Sequence, residues 1–201
     1  MGHNKKIIWK NLKFINMEVN KKMLGGWAID VECYEYIRNI LPTGKTILEF
    51  GSGSGSNELS KYYTLYSIEH DPKWVDKYNT NYIYVPLSPI IIGESYINWY
   101  NKEKLKKQLP EEYDLILVDG PPEGVSPNRN SRQGLYYNLE LFNFNNTIII
   151  FDDVQRKMDM LNLINIAKVL NKNYKIFDSG FYSQKNKKFG VIGYDIKWNN
   201  M

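Results

Sequence analysis

Five short apolar runs, separated by segments with helical spacing, limit more than any other feature how this chain can fold. The runs are Thr46–Phe50, Tyr66–Glu69, Tyr82–Leu87, Asp114–Val118 and Thr147–Phe151. The segments expected to be helical are Asn57–Tyr63, Pro72–Tyr78, Lys102–Leu109, Ser131–Phe142 and Lys157–Asn171. Strands that are apolar throughout and alternate with helices imply a parallel sheet covered on both faces, because each crossover lays a helix over the sheet. The fold class is therefore α/β, doubly wound, with a further helix over Ala28–Leu41 that stops before Pro42-Thr43-Gly44. The rhythm changes at the end. Tyr174–Ser179 and Phe189–Lys197 are strand-like, and the stretch between them is too short for a helical crossover, so these last two of seven strands should pair antiparallel.

A length of 201 residues with 43% in the hydrophobic class suits one core, read as an N-terminal arm at 1–27 and one domain at 28–201. The single cysteine, Cys33, excludes an intrachain disulfide. No apolar run is long enough to span a bilayer, and the polar start Met1-Gly2-His3-Asn4-Lys5-Lys6 does not read as a secretory leader. A cytoplasmic protein without membrane insertion is expected, its oligomeric state open. The net charge of +4 is mild. Lys104, Lys106 and Lys107, and likewise Lys185, Lys187 and Lys188, read as solvated helix and hairpin surfaces, so a nucleic-acid partner is not expected.

The first strand runs into three alternate glycines, Ile47-Leu48-Glu49-Phe50-Gly51-Ser52-Gly53-Ser54-Gly55-Ser56. A phosphate-binding loop would need a lysine after its last glycine, and a dinucleotide fingerprint would need glycine at Ser56. What remains is acidic-x-G-x-G-x-G, which resembles motif I of the class I S-adenosylmethionine-dependent methyltransferases. A carboxylate such as Glu49 suits a ligand carrying ammonium and sulfonium groups and would repel a phosphate. Glu69, at the end of the second strand, stands where an acid can accept hydrogen bonds from both ribose hydroxyls. The resemblance covers nearly the whole chain from Ala28 and implies a Rossmann-like sheet of seven strands ending in an antiparallel pair. It also implies S-adenosylmethionine as cofactor, held by Glu49, Gly51, Ser52, Gly53, Gly55, Glu69, His70, Asp119 and Gly120.

Asp119 ends the fourth strand and Asp152-Asp153 the fifth, so their side chains can converge on one ligand or ion. Oxygen-only ligands suit Mg²⁺ or another divalent cation. The arrangement is similar to that of the catechol-type O-methyltransferases, which implies Asp119, Asp152 and Asp153 as metal ligands and catalytic groups. The bland alternative makes Asp119 a cofactor or turn contact and has Asp152 or Asp153 cap the next helix. Val118-Asp119-Gly120-Pro121, Arg132 and Asp153-Val154-Gln155-Arg156 also resemble the plant glucuronoxylan methyltransferases, with Asp152 standing in place of their histidine. That resemblance implies a sugar hydroxyl as methyl acceptor.

Arg132 and Arg156 follow the fourth and fifth strands, where a guanidinium could clamp an acidic or phosphorylated acceptor. Trp27 is a candidate cavity wall, Gly120–Asn128 a candidate acceptor loop, and His70 a cofactor-side residue. The sequence supports an O-methyltransferase acting on a sugar or other small hydroxylated acceptor. Two alternatives stay open: a nucleic-acid methyltransferase, which the inserted Gly120 and missing aromatic after Pro122 disfavour, and a cofactor-binding module without catalysis.

Overall fold

The strands Leu115–Val118 and Ile148–Phe151 are apolar at every position because both faces of their sheet are covered. The computed structural model describes residues 24–25, 27–127, 129–179 and 186–195. Most of the expected arm, the hairpin loop at 180–185 and the end of the last expected strand lie outside these residues. The strands are β1 (Thr46–Phe50), β2 (Thr64–Glu69), β3 (Asn81–Tyr84), β4 (Leu87–Ile92), β5 (Ser95–Tyr100), β6 (Leu115–Val118), β7 (Ile148–Phe151), β8 (Tyr174–Ser179) and β9 (Lys187–Ile192). The helices are α1 (Val31–Ile40), α2 (Ser54–Leu59), α3 (Lys102–Lys106) and α4 (Lys157–Val169).

Seven strands form a mixed sheet in the order β3-β2-β1-β6-β7-β9-β8. The first five in that order run parallel, and β9 runs antiparallel to both β7 and β8, as expected of the closing pair. Side chains alternate between two cores. Ile47, Leu115, Leu117, Ile148 and Ile150 pack with Cys33 and Ile37 of α1, whereas Leu48, Phe50, Ile116, Val118, Ile149 and Phe151 pack with Leu163 and Ile166 of α4. The chain winds from β1 toward β2 and β3, then returns to place β6 and β7 on the other side of β1. The carboxyl ends of β1 and β6 therefore flank the crevice at which ligands bind in such sheets.

Three expected elements differ. Pro72–Tyr78 forms turns instead of a helix: Asp71 Oδ1 accepts from Lys73 N at 3.0 Å and Asp76 has a positive φ, so local turn bonds take over the backbone. Ser131–Leu141 is a 3-10 stretch kinked at Asn138, whose side chain donates to Gly134 O at 2.8 Å and competes with the regular helical bond. Leu87 opens an antiparallel hairpin, β4 with β5, where one longer parallel strand was expected to end. Gly93, with φ +59, is the first of its two loop residues.

Candidate functional site

The turn after β1 is built by close backbone contact. Gly51 has φ +88, and a Cβ there would stand 3.2 Å from Gly120 N, so the ends of β1 and β6 touch through glycines. Gly53 is crowded from the other side. A Cβ on it would lie 1.7 Å from the carbonyl oxygen of Trp27, which passes directly over the turn.

Behind this turn sits Glu49. Its Oε2 accepts from Ser56 Oγ at 2.8 Å and Ser67 Oγ at 2.7 Å, and burial pushes its pKa up to about 8 despite those hydroxyls. Ser56 Oγ also accepts from Gly53 N at 3.0 Å, which links Glu49 to the glycine turn. Glu69 is buried too, but its partners are backbone donors. Oε2 accepts from Ser52 N at 3.0 Å, and Oε1 accepts from His70 N at 2.7 Å and Asp71 N at 2.8 Å. Two carboxylate oxygens offer about four acceptor sites, so Oε2 keeps capacity for another donor. His70 Nδ1 lies 3.0 Å from Glu69 Oε1, an ion-pair distance if the ring is protonated, and makes no hydrogen bond.

The ends of β6 and β7 carry charge. Asp119, Asp152 and Asp153 each bring one carboxylate oxygen to within 4.8 Å of the others. Arg132, buried at the start of the 3-10 stretch, reaches Asp119 Oδ1 at 3.2 Å and Asp153 Oδ2 at 3.4 Å, and also donates to the backbone carbonyls of Asp119 and Asp152. Ser131 Oγ anchors that stretch by donating to Pro121 O and Pro122 O. Arg156 meets Asp153 Oδ2 at 2.9 Å, and Lys187 meets Asp152 Oδ2 at 3.0 Å.

Burial, reinforced by Asp119, raises the Asp152 pKa to about 7. Burial also raises Asp119, with Arg132 only partly offsetting it. For Asp153 burial pushes upward as well, but Arg132, Lys187 and Arg156 outweigh it and hold the group below the ordinary carboxylate range. The three neighbouring acids are thus shifted in different directions because their cationic partners are shared unequally.

One cavity of about 570 Å³ spans both groups. Among the expected site residues it is lined by Gly51, Ser52, Glu69, His70, Asp119, Gly120, Asp152, Asp153, Arg132, Arg156 and Trp27. Glu49, Gly53 and Gly55 do not line it. Glu49 is turned into the space under the glycine turn, Gly53 faces the Trp27 carbonyl, and Gly55 packs on Ala28 and Ile29. The loop expected to bind the acceptor is pinned to β5, where Asn98 N donates to Ser126 Oγ at 2.8 Å.

No protein-family model matches the chain, and no curated protein matches it in sequence. Solved structures do match it in shape. An O-methyltransferase from Bacillus cereus in complex with SAH has a TM-score of 0.54 at 12% identity, covering 84% of this chain and 83% of its own. Cofactor-bound Rv0187 from MTB gives 0.52 at 12% identity over 84% and 82%, and a methyltransferase from Pyrococcus furiosus gives 0.51 at 14% over 81% of each chain. The chain has the Rossmann-like methyltransferase fold.

In this fold the sequence reading missed Lys187, which it had placed on a solvated hairpin. The signal was topological: β9 runs antiparallel beside β7, with Phe151 opposite Gly190, so the first residue of β9 falls beyond the carboxyl end of β7. Asp159 was also missed. It lies 3.8 Å from both Arg132 Nη1 and Arg156 Nη1, in the first turn of α4, and burial raises its pKa to about 6. Among the described residues no helix is long and apolar enough to cross a membrane.

Proposed function

We propose that this protein is an S-adenosylmethionine-dependent O-methyltransferase acting on a hydroxyl of a neutral sugar or similar small polyol. The observation that carries this reading is one cavity, at the carboxyl edge of a methyltransferase-type sheet, with a buried carboxylate with spare acceptor capacity at one end and a buried carboxyl oxygen without a hydrogen-bond partner at the other. Its volume is within the range of small-molecule sites.

S-adenosylmethionine would supply, when bound, an electrophilic methyl on a sulfonium. Glu69, with its spare acceptor capacity, fits the ribose hydroxyls, and Gly51, Ser52, His70 and Gly120 line the wall around it. The lining carries six carboxyl groups, Glu69, Asp71, Asp119, Glu123, Asp152 and Asp153, against three cations, which favours a positively charged donor.

At the other end, Asp152 Oδ1 is buried without a hydrogen-bond partner and belongs to a cavity-lining residue. It is the group assigned to accept the hydroxyl proton as the acceptor oxygen becomes nucleophilic, and a pKa near 7 suits that task at neutral pH. Arg132 and Arg156 are committed to carboxylates, so the acid and phosphate clamps expected of them are already filled. This is why the acceptor is assigned as neutral. The trio Asp119, Asp152 and Asp153 does not fit a divalent ion as it stands, because each carboxylate has a protein cation within 3.5 Å, and no step is assigned to a metal.

Saturating S-adenosylmethionine should raise the melting temperature. At about 100 times Kd the stabilisation is roughly 2.7 kcal/mol, and Glu69→Ala should abolish it. Absence of any shift at millimolar cofactor would sink the reading. Incubation with neutral sugars should then yield products heavier by one methylene.

A further inference from the structure

Asp119, Asp152 and Asp153 have the oxygen donors and the spacing of a hard-cation site, since such ions take carboxylate oxygens at about 2.0–2.6 Å. The structure assigns the cation position between Asp152 and Asp153 to the ammonium of Lys187, which makes the cluster exclude divalent metal. Lys187 Nζ lies 3.0 Å from Asp152 Oδ2, 3.5 Å from Asp153 Oδ1 and 3.5 Å from Asp30 Oδ2. Its side chain is only 11% exposed, so the ammonium is enclosed by these carboxylates. An ammonium is a compact point charge with three donors, and here three carboxylates surround it.

The position is set by the fold. β9 delivers Lys187 to the end of β7 from the opposite direction, next to the Asp152-Asp153 pair. Arg132 and Arg156 hold the outer sides of Asp119 and Asp153, which leaves the oxygens near Lys187 as those an ion could still seek. Asp152 Oδ1 is the second observation. It is buried, unpartnered and on a cavity-lining residue, so the cluster has an open acceptor once its net charge is balanced by protein groups. A divalent ion bound to Asp152 and Asp153 would have to displace the ammonium or stand against it.

Metal exclusion by Lys187 does not depend on the methyltransferase reading; only the turnover measurement below does. Manganese titration of the full chain, followed by the electron paramagnetic resonance of free Mn²⁺, tests exclusion without any activity assay. The wild type and Lys187→Arg should leave the Mn²⁺ signal unchanged, while Lys187→Gln should bind one ion about tenfold or more tightly. Circular dichroism checks that Lys187→Gln folds, and Lys187→Met, which keeps the stem and removes the charge, replaces it if it does not. Stoichiometric Mn²⁺ binding by the wild type that Asp152→Asn abolishes would overturn the inference. So would a folded, charge-free Lys187 variant that binds no Mn²⁺. A separate arm measures methyl transfer after prolonged EDTA treatment, with unchanged turnover expected. Metal-dependent turnover would overturn the inference, whereas failure of the methyltransferase reading would appear as the missing cofactor shift described above.

Discussion

Around the ends of β1 and β2, carboxyl groups are held by neutral donors. Glu69 takes three backbone N–H groups and Glu49 takes two hydroxyls. At the β6–β7 end, Asp119, Asp152 and Asp153 are held by three full charges, Arg132, Arg156 and Lys187. The difference matters because a buried carboxylate with fixed dipoles can be altered alone, while a shared ion network fails as a unit when one member is lost. The first arrangement suits a permanent docking point. The second suits a place where a proton is to move.

The most severe way to break this contrast is Arg132→Met. Arg132 is nearly fully buried and stands against Asp119, Asp153 and Asp159, so its removal leaves several acids without a counter-charge. The expected loss is about 3–5 kcal/mol. For a domain of this size that lowers the melting temperature by roughly 10 °C. A loss below about 1 kcal/mol in urea unfolding would mean that water, and not Arg132, neutralises the cluster, and the two ends would then be alike.

An effect of at most similar size, spread over several pH units, should appear with pH. The folded pKa of Asp152, about 7, lies above its ordinary value of 3.8, so the folded state binds this proton more tightly than the unfolded chain. Its contribution is favourable at low pH and is lost as pH rises between about 4 and 7, with a limiting slope of about 1.4 kcal/mol per pH unit. Glu49, near 8, adds the same sign up to that pH. Asp153 has the opposite sign because its folded pKa is depressed. Asp152→Asn should therefore flatten the fall in stability from pH 4 to 7, while methyl transfer by the wild type rises through pH 7. An unchanged slope in the variant would remove Asp152 from the titrating set.

The same contrast explains what could be read from the sequence. The β1–β2 end is local: Gly51, Gly53 and Gly55 follow one strand and Glu69 ends the next, so their positions follow from strand order alone. Even there the sequence could not show which way Glu49 turns, because that depends on Ser67 of the neighbouring strand. Asp119, Asp152 and Asp153 were legible as strand-end residues. Their partners were not, since Arg132 arrives from a 3-10 stretch and Lys187 from an antiparallel strand 34 positions after Asp153. The β4–β5 hairpin was hidden by Ser88-Pro89 in an otherwise apolar run; the proline is tolerated because this two-stranded sheet leaves edges free of ladder bonds.

The mildest test compares two glycines, one near each end. At Gly53 an added Cβ would fall 1.7 Å from the Trp27 carbonyl oxygen, a backbone atom that cannot rotate away. At Gly124, in the 3-10 turn Glu123–Val125, an added Cβ meets nothing within 4 Å. Gly53→Ala should cost about 1–3 kcal/mol, because the Trp27 backbone must lift for the methyl to fit. Leu24 and Ile29 are buried, so that movement exposes core surface and should make the chain there more sensitive to protease. Gly124→Ala should be neutral or stabilise by up to about 1 kcal/mol, since it restricts the unfolded chain without a clash. If both variants unfold at the same denaturant concentration as the wild type, the Trp27 backbone is not fixed over the turn. The wall of the donor end would then be set by the glycines alone.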